Sequence, residues 1–459
     1  MATNQPNHPG IIINETLAPL AGNPGVPGQA VAAFAANYNS GPNVPTFIVS
    51  WNDFLSTYGA FSSSKITYLH YAVYQYFNNG GTGCYVLSIP NTDSVTASLT
   101  LQDINGPPDN ALTVKAISPG LWGNSIFVAV TSAGNTGRVN LQVYKGGTAT
   151  GNLVENFIDM SMNPADPRNI VSIVNSPVSG SGFINLTNLL STYTAGVNDL
   201  ALVTTPQPLT SGSDGSTPPN LSTAIPAGFD QLQGVMLNVN VPALTNITTL
   251  NSLISWAAGR GDVMMVIDGP TPAPPETSAQ VVNNYVNMVT GGSPLTASSY
   301  ATLYSPWIQI ADPASALPGS SIWVPPGGAV LGVWAATDTA KGPWQSPAGI
   351  SHGALNLQNI EAVFTPTDLD NLNQNNINAI RFVPGYFPAI MGVRTLQHSY
   401  PTQYISVRRM LMQLEHDFTA LLQFALFEPN NNNLWLQVTN VITNYLTNLM
   451  QQGVLGGTT

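Results

Sequence analysis

The stretch YLHYAVYQYFNNGGTGCYVLSI, residues 68–89, decides the fold class. Its first part, Tyr68–Phe77, repeats aromatic residues at helical spacing. Asn78-Asn79-Gly80-Gly81 stops that helix, because these residues accept the backbone that a helix C-terminus requires. Cys84–Ile89 then reads as a buried strand. Upstream, Ala30–Ala36 is small and apolar, Thr46–Ser50 is a strand and Trp51–Tyr58 opens a short helix. The alternation predicts a mixed α/β layer over residues 23–90.

Working outward, residues 1–22 form a separate arm. Residues 1–10 are polar with two prolines, and Ile11-Ile12-Ile13 is a lone strand before Pro19, Gly22, Pro24 and Gly25. Such a strand must add to a sheet elsewhere, in its own subunit or in a neighbour. Residues 91–190 change character: Ala97–Leu101, Leu112–Ile117, Ile126–Thr131 and Val139–Tyr144 are short β runs parted by Gly, Pro and Asn. This reads as an inserted β-rich module. The α/β rhythm returns over 191–340, with strands at Leu200–Val203, Gly234–Asn238, Val263–Ile267 and Tyr304–Ile310. Its helices are Ile247–Gly259 and Thr277–Thr290. Ala329–Ala336 has the length of a core strand. In the last part, 341–459, Val407, Leu411, Leu414, Phe418, Leu421 and Ala425 keep a 3–4 spacing. Pro429 and Asn430–Asn433 break it, and Leu434, Val438, Val441, Tyr445 and Leu449 resume it. That is a helical hairpin.

Composition narrows the function. Only 7% of the 459 residues are charged, against ~25% in an ordinary domain. Eleven Lys+Arg against 22 Asp+Glu give a net charge of −11, too few cations for a phosphate-binding stripe. The chain therefore reads as no nucleic-acid binder. A hydrophobic share of 43% excludes a disordered chain. Few charges leave little repulsion between copies, which favours self-association. Cys84 stands alone, so an intramolecular disulfide is excluded. With no apolar run near ~18 residues and no secretion signal at the N-terminus, the expectation is a soluble, cytosol-made protein without membrane insertion.

The chemistry-bearing residues form no recognisable catalytic set. His8, His70, His352, His398 and His416 lack metal-ligand spacing, and no GxSxG, GxxxxGK[ST] or strand-borne GxGxxG occurs. His70 in a Tyr-rich helix reads as a packed ring. Glu415-His416-Asp417 are adjacent on a helix, and adjacent residues point apart, so they read as a solvated face. Asp262 and Asp268 flank a strand, a favoured site position in open α/β sheets, though a loop-start Asp binding backbone amides is the simpler reading. Gly259-Arg260-Gly261-Asp262 precedes a buried strand, which argues against an adhesive role. No cofactor and no metal are expected. Arg381, Arg394, Arg408 and Arg409 cluster in the C-terminal third. Arginines near the start of the penultimate helix oppose its dipole, so each calls for a carboxylate from outside that helix, in or between subunits.

The chain resembles the contractile tail sheath family, which includes phage tail sheaths and the sheaths of phage-derived contractile injection systems. The likeness rests on Pro9–Glu15, Ser50–Phe54 with Tyr58-Gly59, Tyr68–Phe77 with Asn79-Gly80-Gly81 and Cys84-Tyr85-Val86, and Ala116–Asn124. Further matches are Tyr304-Ser305-Pro306-Trp307, Pro325–Gly332 with Ala335, Asp338, Gly342, Trp344 and Pro347-Ala348, Ile377–Arg381, Gly392–Thr395, Tyr404–Arg409, and Phe427–Asn430 with Leu434-Trp435.

The resemblance implies a non-enzymatic structural subunit that assembles as hexameric rings, stacked helically around an inner tube. Contraction of that stack drives the tube through a cell envelope, either for phage genome delivery or as an injection system delivering protein effectors. It implies a multi-domain α+β or mixed α/β chain with a non-catalytic, subtilisin-like α/β core, an inserted β-rich outer domain and a C-terminal helical region facing the tube. Implied partners are further copies of the chain, the inner tail tube protein, and baseplate and tail terminator proteins. The implied setting is a virion tail assembled in host cytoplasm or a cytoplasmic injection particle. Ile11, Ile12 and Ile13 would be the inter-subunit arm. Arg381, Arg394, Arg408, Arg409, Glu415 and Asp417 would be tube or inter-subunit contacts, within a candidate tube face at 405–452. Relatives continue past the last helix into a further mesh strand, which is not read after Gly453. A remote alternative is a hydrolase on the subtilisin-like core, using Asp268 or His352.

Overall fold

The computed structural model describes residues 30–455 apart from 62–67, 177–178, 274–275 and 316. The arm residues Ile11, Ile12 and Ile13 lie outside the described residues. The chain begins with β1 (Val31–Asn37), β2 (Thr46–Ile48), α1 (Trp51–Tyr58), α2 (Tyr68–Asn78) and β3 (Cys84–Ile89). Ser50 caps α1 by accepting from the Asp53 N–H, and Gly80 adopts a positive φ of 99° just beyond α2.

A β-rich module follows: β4 (Ser98–Gln102), β5 (Asn110–Ala116), β6 (Ile126–Ser132), β7 (Arg138–Lys145), β8 (Leu153–Ser161), α3 (Ile170–Val174), β9 (Ile184–Asn188) and β10 (Val203–Pro208). It folds as two small antiparallel sheets, β10-β6-β7-β8 and β4-β5-β9, around one apolar cluster. That cluster extends past residue 190 to Leu200 and Leu209. The chain enters and leaves the module side by side: the Thr92 N–H donates to the Thr217 carbonyl at 2.9 Å, and the Val95 N–H to that of Ser213 at 2.8 Å.

The chain then supplies α4 (Leu221–Phe229), β11 (Leu237–Asn240), α5 (Ile247–Arg260), β12 (Val263–Asp268), α6 (Ser278–Thr290), β13 (Ala301–Ser305), β14 (Ile308–Ala311), β15 (Ser321–Val324) and α7 (Gly327–Lys341). After these come α8 (Gly349–His352), β16 (Asn359–Ile360), α9 (Pro366–Gln374), β17 (Ile377–Phe382), β18 (Pro388–Ile390), α10 (Ile405–Leu421) and α11 (Asn432–Gln451). The run Tyr304–Ile310, expected as one strand, divides at Pro306 into β13 and β14, which enter different sheets. Ala329–Ala336, expected as strand-length, lies inside α7. An apolar run buried on all sides fits a core helix as well as a strand, and periodicity cannot separate them.

The central sheet has eight strands in the order β18-β17-β13-β12-β11-β1-β3-β2. β3, β1, β11, β12, β13 and β17 are parallel, while β2 and β18 run antiparallel at the edges. The subtilisin-like core implied by the resemblance is not what forms. In chain order the parallel strands lie 2-1-3-4-5-6, the doubly wound order of the flavodoxin kind. Side chains alternate between two cores: Val263, Met265 and Ile267 face the α4–α5–α6–α9 side, and Met264 and Val266 the α1–α2–α7 side. Gly328 and Gly332 let α7 approach α2, for a Cβ at Gly328 would lie 2.2 Å from the Ala72 carbonyl oxygen. Among the described residues no helix is long and apolar enough to cross a membrane.

Candidate assembly interface

Two carboxylates raised by the sequence lie at the ends of β12. Asp268 is sealed in the core, accepting from the Gly327 N–H at 2.8 Å, Asn240 Nδ2 at 3.0 Å and the Ala243 N–H at 3.3 Å. Burial pushes its carboxyl up to about 6, partly offset by those donors. The carboxylate is therefore a structural tie at the α7 N-terminus. Asp262 pairs with Arg260 at 2.7 Å, so the Arg-Gly-Asp triplet closes on itself. His70 is a packed ring, edge-on to Phe54 and bonded to the Gly59 carbonyl at 3.1 Å, and burial lowers it to about 4. No group of three His, Cys, Asp or Glu among the described residues is placed to hold a metal.

The remaining candidates surround α10. Its first turn is anchored by Ile405, buried among core residues, with Met412 a further anchor. Arg409 pairs with Asp338 of α7, both side chains buried, and its guanidinium lies 4.6 Å from the Trp334 ring. Desolvation raises the Asp338 carboxyl and the Arg409 charge lowers it, the first effect prevailing. Arg408 reaches Glu415 on the same helix at 3.3 Å and lies 4.4 Å over Tyr300. Each of these arginines thus finds a carboxylate in its own chain. Arg394 donates to Asn373 at 2.9 Å and Gln403 at 3.0 Å, and covers Tyr404. Its backbone N–H and carbonyl are both held by Asn378, each at 2.7 Å. Arg381 lies half-buried on β17, with its Nε lacking a hydrogen-bond partner among the described residues. Asp417 accepts from Gln413 at 2.9 Å and from the Tyr445 hydroxyl, joining α10 to α11. Glu415 keeps an exposed carboxylate.

α11 barely packs on its own chain. Leu449 is its sole buried residue, and Phe418 meets Tyr445 edge-on at 5.7 Å. At the α10–α11 turn Leu421, Phe424, Leu426, Phe427, Trp435 and Leu436 are all exposed, Phe427 at 105%. Phe427 also holds a φ of 67°, a left-handed conformation that disfavours an aromatic residue. A second exposed apolar group, Phe382, Tyr386, Phe387 and Met391, edges the β17–β18 hairpin. Exposed apolar residues grouped along the chain in this way point to contact sites. The 3–4 spacing extends the helix to Ala425, but α10 ends at Leu421 and a short 3-10 turn, Gln423–Ala425, follows. Asp338 belongs to the resemblance, but its pairing with Arg409 was not read from it; a lone acid in an apolar helix signals a buried partner.

Comparisons with known proteins agree with this architecture. No family model matches the chain. The tail sheath protein of Vibrio phage KVP40 is 32% identical over 133 residues, covering 28% of this chain. The match spans one-fifth of that relative's length. The sheath complex of an extracellular contractile injection system, PVC, in its contracted state, aligns over 100% of this chain and 86% of its own. The TM-score is 0.55 at 20% identity. The sheath tail protein of Listeria innocua aligns over 94% and 87%, with a TM-score of 0.62 at 12% identity. These alignments assign the layer read as subtilisin-like to the contractile-sheath fold instead. The chain is homologous to phage tail sheath proteins over part of its length and has, over nearly all of it, the fold of contractile sheath proteins.

Proposed function

We propose that this protein is a structural, non-enzymatic subunit of a contractile sheath in an injection-system particle. Copies assemble as stacked hexameric rings around an inner tube, capped by baseplate and terminator proteins, and contract to drive the tube through an envelope. The carrying observation is the fold match along the whole chain to the sheath of an extracellular contractile injection system. The exposed apolar turn between α10 and α11, which its own chain leaves uncovered, supports a role in assembly. Of the six charged candidates, Glu415 keeps the most exposed charge for a neighbour, while Arg394, Arg408, Arg409 and Asp417 are engaged within the chain. Ile11, Ile12 and Ile13 would cross to a neighbouring subunit. Electron microscopy of the purified protein should show hexameric rings or hollow striated tubes. A strictly monomeric protein at high concentration would overturn the proposal.

A second reading is the sheath of a phage virion, delivering a genome. The local identity to the Vibrio phage protein favours it. Flanking genes decide between the two: capsid and terminase genes favour the virion, toxin cargo and an ATPase the injection system.

A further inference from the structure

His416 lies on α10 with an acceptor at each ring nitrogen. Nδ1 is 3.4 Å from Asp417 Oδ1, and Nε2 is 3.3 Å from the Gly234 carbonyl oxygen. A neutral imidazole carries one N–H, so one of these contacts always sets lone pair against lone pair. The imidazolium donates to both. The two acceptors belong to different parts of the molecule. Gly234 precedes β11 at the amino end of the central sheet, where a left-handed turn (φ 76°) presents its carbonyl. Asp417 carries the link onward, since it accepts from Tyr445 of α11.

The ring sits among both acidic and basic side chains. The cleft between α10 and the amino-end loops is about 350 Å³, lined by Gly234, Arg260, Asp262, Met412, Glu415 and Thr419 among others. Asp417 and Glu415 face the ring from its own helix, and Asp262 and Arg260 from the α5–β12 turn. Among the described residues lining the cleft, Arg260 alone opposes a cation. Its guanidinium is neutralised by Asp262 at 2.7 Å and 2.9 Å and donates to the carbonyls of Phe229 and Leu232. Glu415 shares its charge with Arg408, leaving Asp417 as the carboxylate in direct contact.

We propose that His416 is a proton-operated clasp: protonation of its imidazole fastens α10, and through Asp417 and Tyr445 also α11, to the amino-end loops of the central sheet. The clasp matters because α11 buries only Leu449, and the buried anchors of α10 end at Gln413, midway along that helix. The proposal concerns the single chain and does not depend on what the chain assembles into.

The test is hydrogen exchange of the full-length chain, corrected for intrinsic pH dependence, across the range where an imidazole titrates, about pH 8 to about pH 5.5. Protection of α11 and the second half of α10 should rise about tenfold on acidification, the size of one charge-assisted hydrogen bond. His416→Gln should abolish that rise, and His416→Arg should hold protection high throughout. A wild-type chain with no rise, or a rise that survives in His416→Gln, overturns the clasp. If the variants do not fold, the wild-type ring decides by ¹⁵N NMR. Protonation of its second nitrogen must share a midpoint with α11 protection, and unrelated midpoints overturn the proposal.

Discussion

Arg409 of α10 and Asp338 of α7 are paired with both side chains only 2% exposed. A buried pair of this kind adds little net stability over an apolar pair of equal volume, yet removing one member strands the other's charge. Arg409→Met or Asp338→Asn alone should cost about 3–5 kcal/mol in urea denaturation. The double replacement Arg409→Met/Asp338→Leu should recover most of that loss. Additive losses would mean that the two residues act separately.

Close approach of α2 and α7 gives a second expectation. Gly328→Ala places a Cβ 2.2 Å from the Ala72 carbonyl oxygen, and backbone cannot step aside cheaply. It should cost about 1–3 kcal/mol or more. Gly259→Ala, in α5 with no atom within 4 Å of the new Cβ, should instead stabilise by up to about 1 kcal/mol. Thermal melts of the two variants should move in opposite directions.

Asp268 makes stability depend on pH with a definite sign. Its carboxyl is raised from 3.8 to about 6 by burial, so the folded state favours the protonated form. That contribution is whole below pH 3.8 and is lost as pH rises through about 6. The loss amounts to about 3 kcal/mol. Asp268→Asn should flatten this arm of the urea-midpoint profile. It should also lower stability in acid, because the Asn NH₂ would face the Asn240 and Ala243 donors. An unchanged slope would remove Asp268 from the pH response.

Phe427 combines full exposure with a left-handed backbone. The isolated chain gains nothing from this arrangement. Phe427→Gly should stabilise the monomer by about 1 kcal/mol by relieving the backbone. The same change should weaken ring or tube formation in sedimentation and microscopy. If assembly is untouched, Phe427 lies outside the interface.

Much of the fold was legible because its signals are local. The Asn-Asn-Gly-Gly stop after α2 and the apolar run of β3 need nothing distant to form. Sheet order was not legible, because nothing in β1 says that β11 and β3 will be its neighbours. The subtilisin-like expectation came from the resemblance and not from any reading of strand order. α7 was obscured for a related reason: a helix buried on every side has no polar stripe to reveal its period. Around α10 the arginines were visible as unusual charges, but their partners were not. Asp338 is 71 residues from Arg409 along the chain, and only the packing of α10 against the core joins them.

The side-by-side connections of the β-rich module carry a further consequence. Thr92 and Thr217 are one hydrogen bond apart, although 125 residues separate them along the chain. The central sheet is therefore closed at this point by a pair of neighbouring ends, whatever the chain does between them. Loop closure across so short a gap needs only a few residues, and its entropic cost grows slowly as more are added. A different insert joined at the Thr92–Thr217 seam is therefore expected to leave both ends in place, losing only the module's own ties to the frame, from Ser118 to the Gly41 carbonyl and from Lys145 to the Ser56 carbonyl.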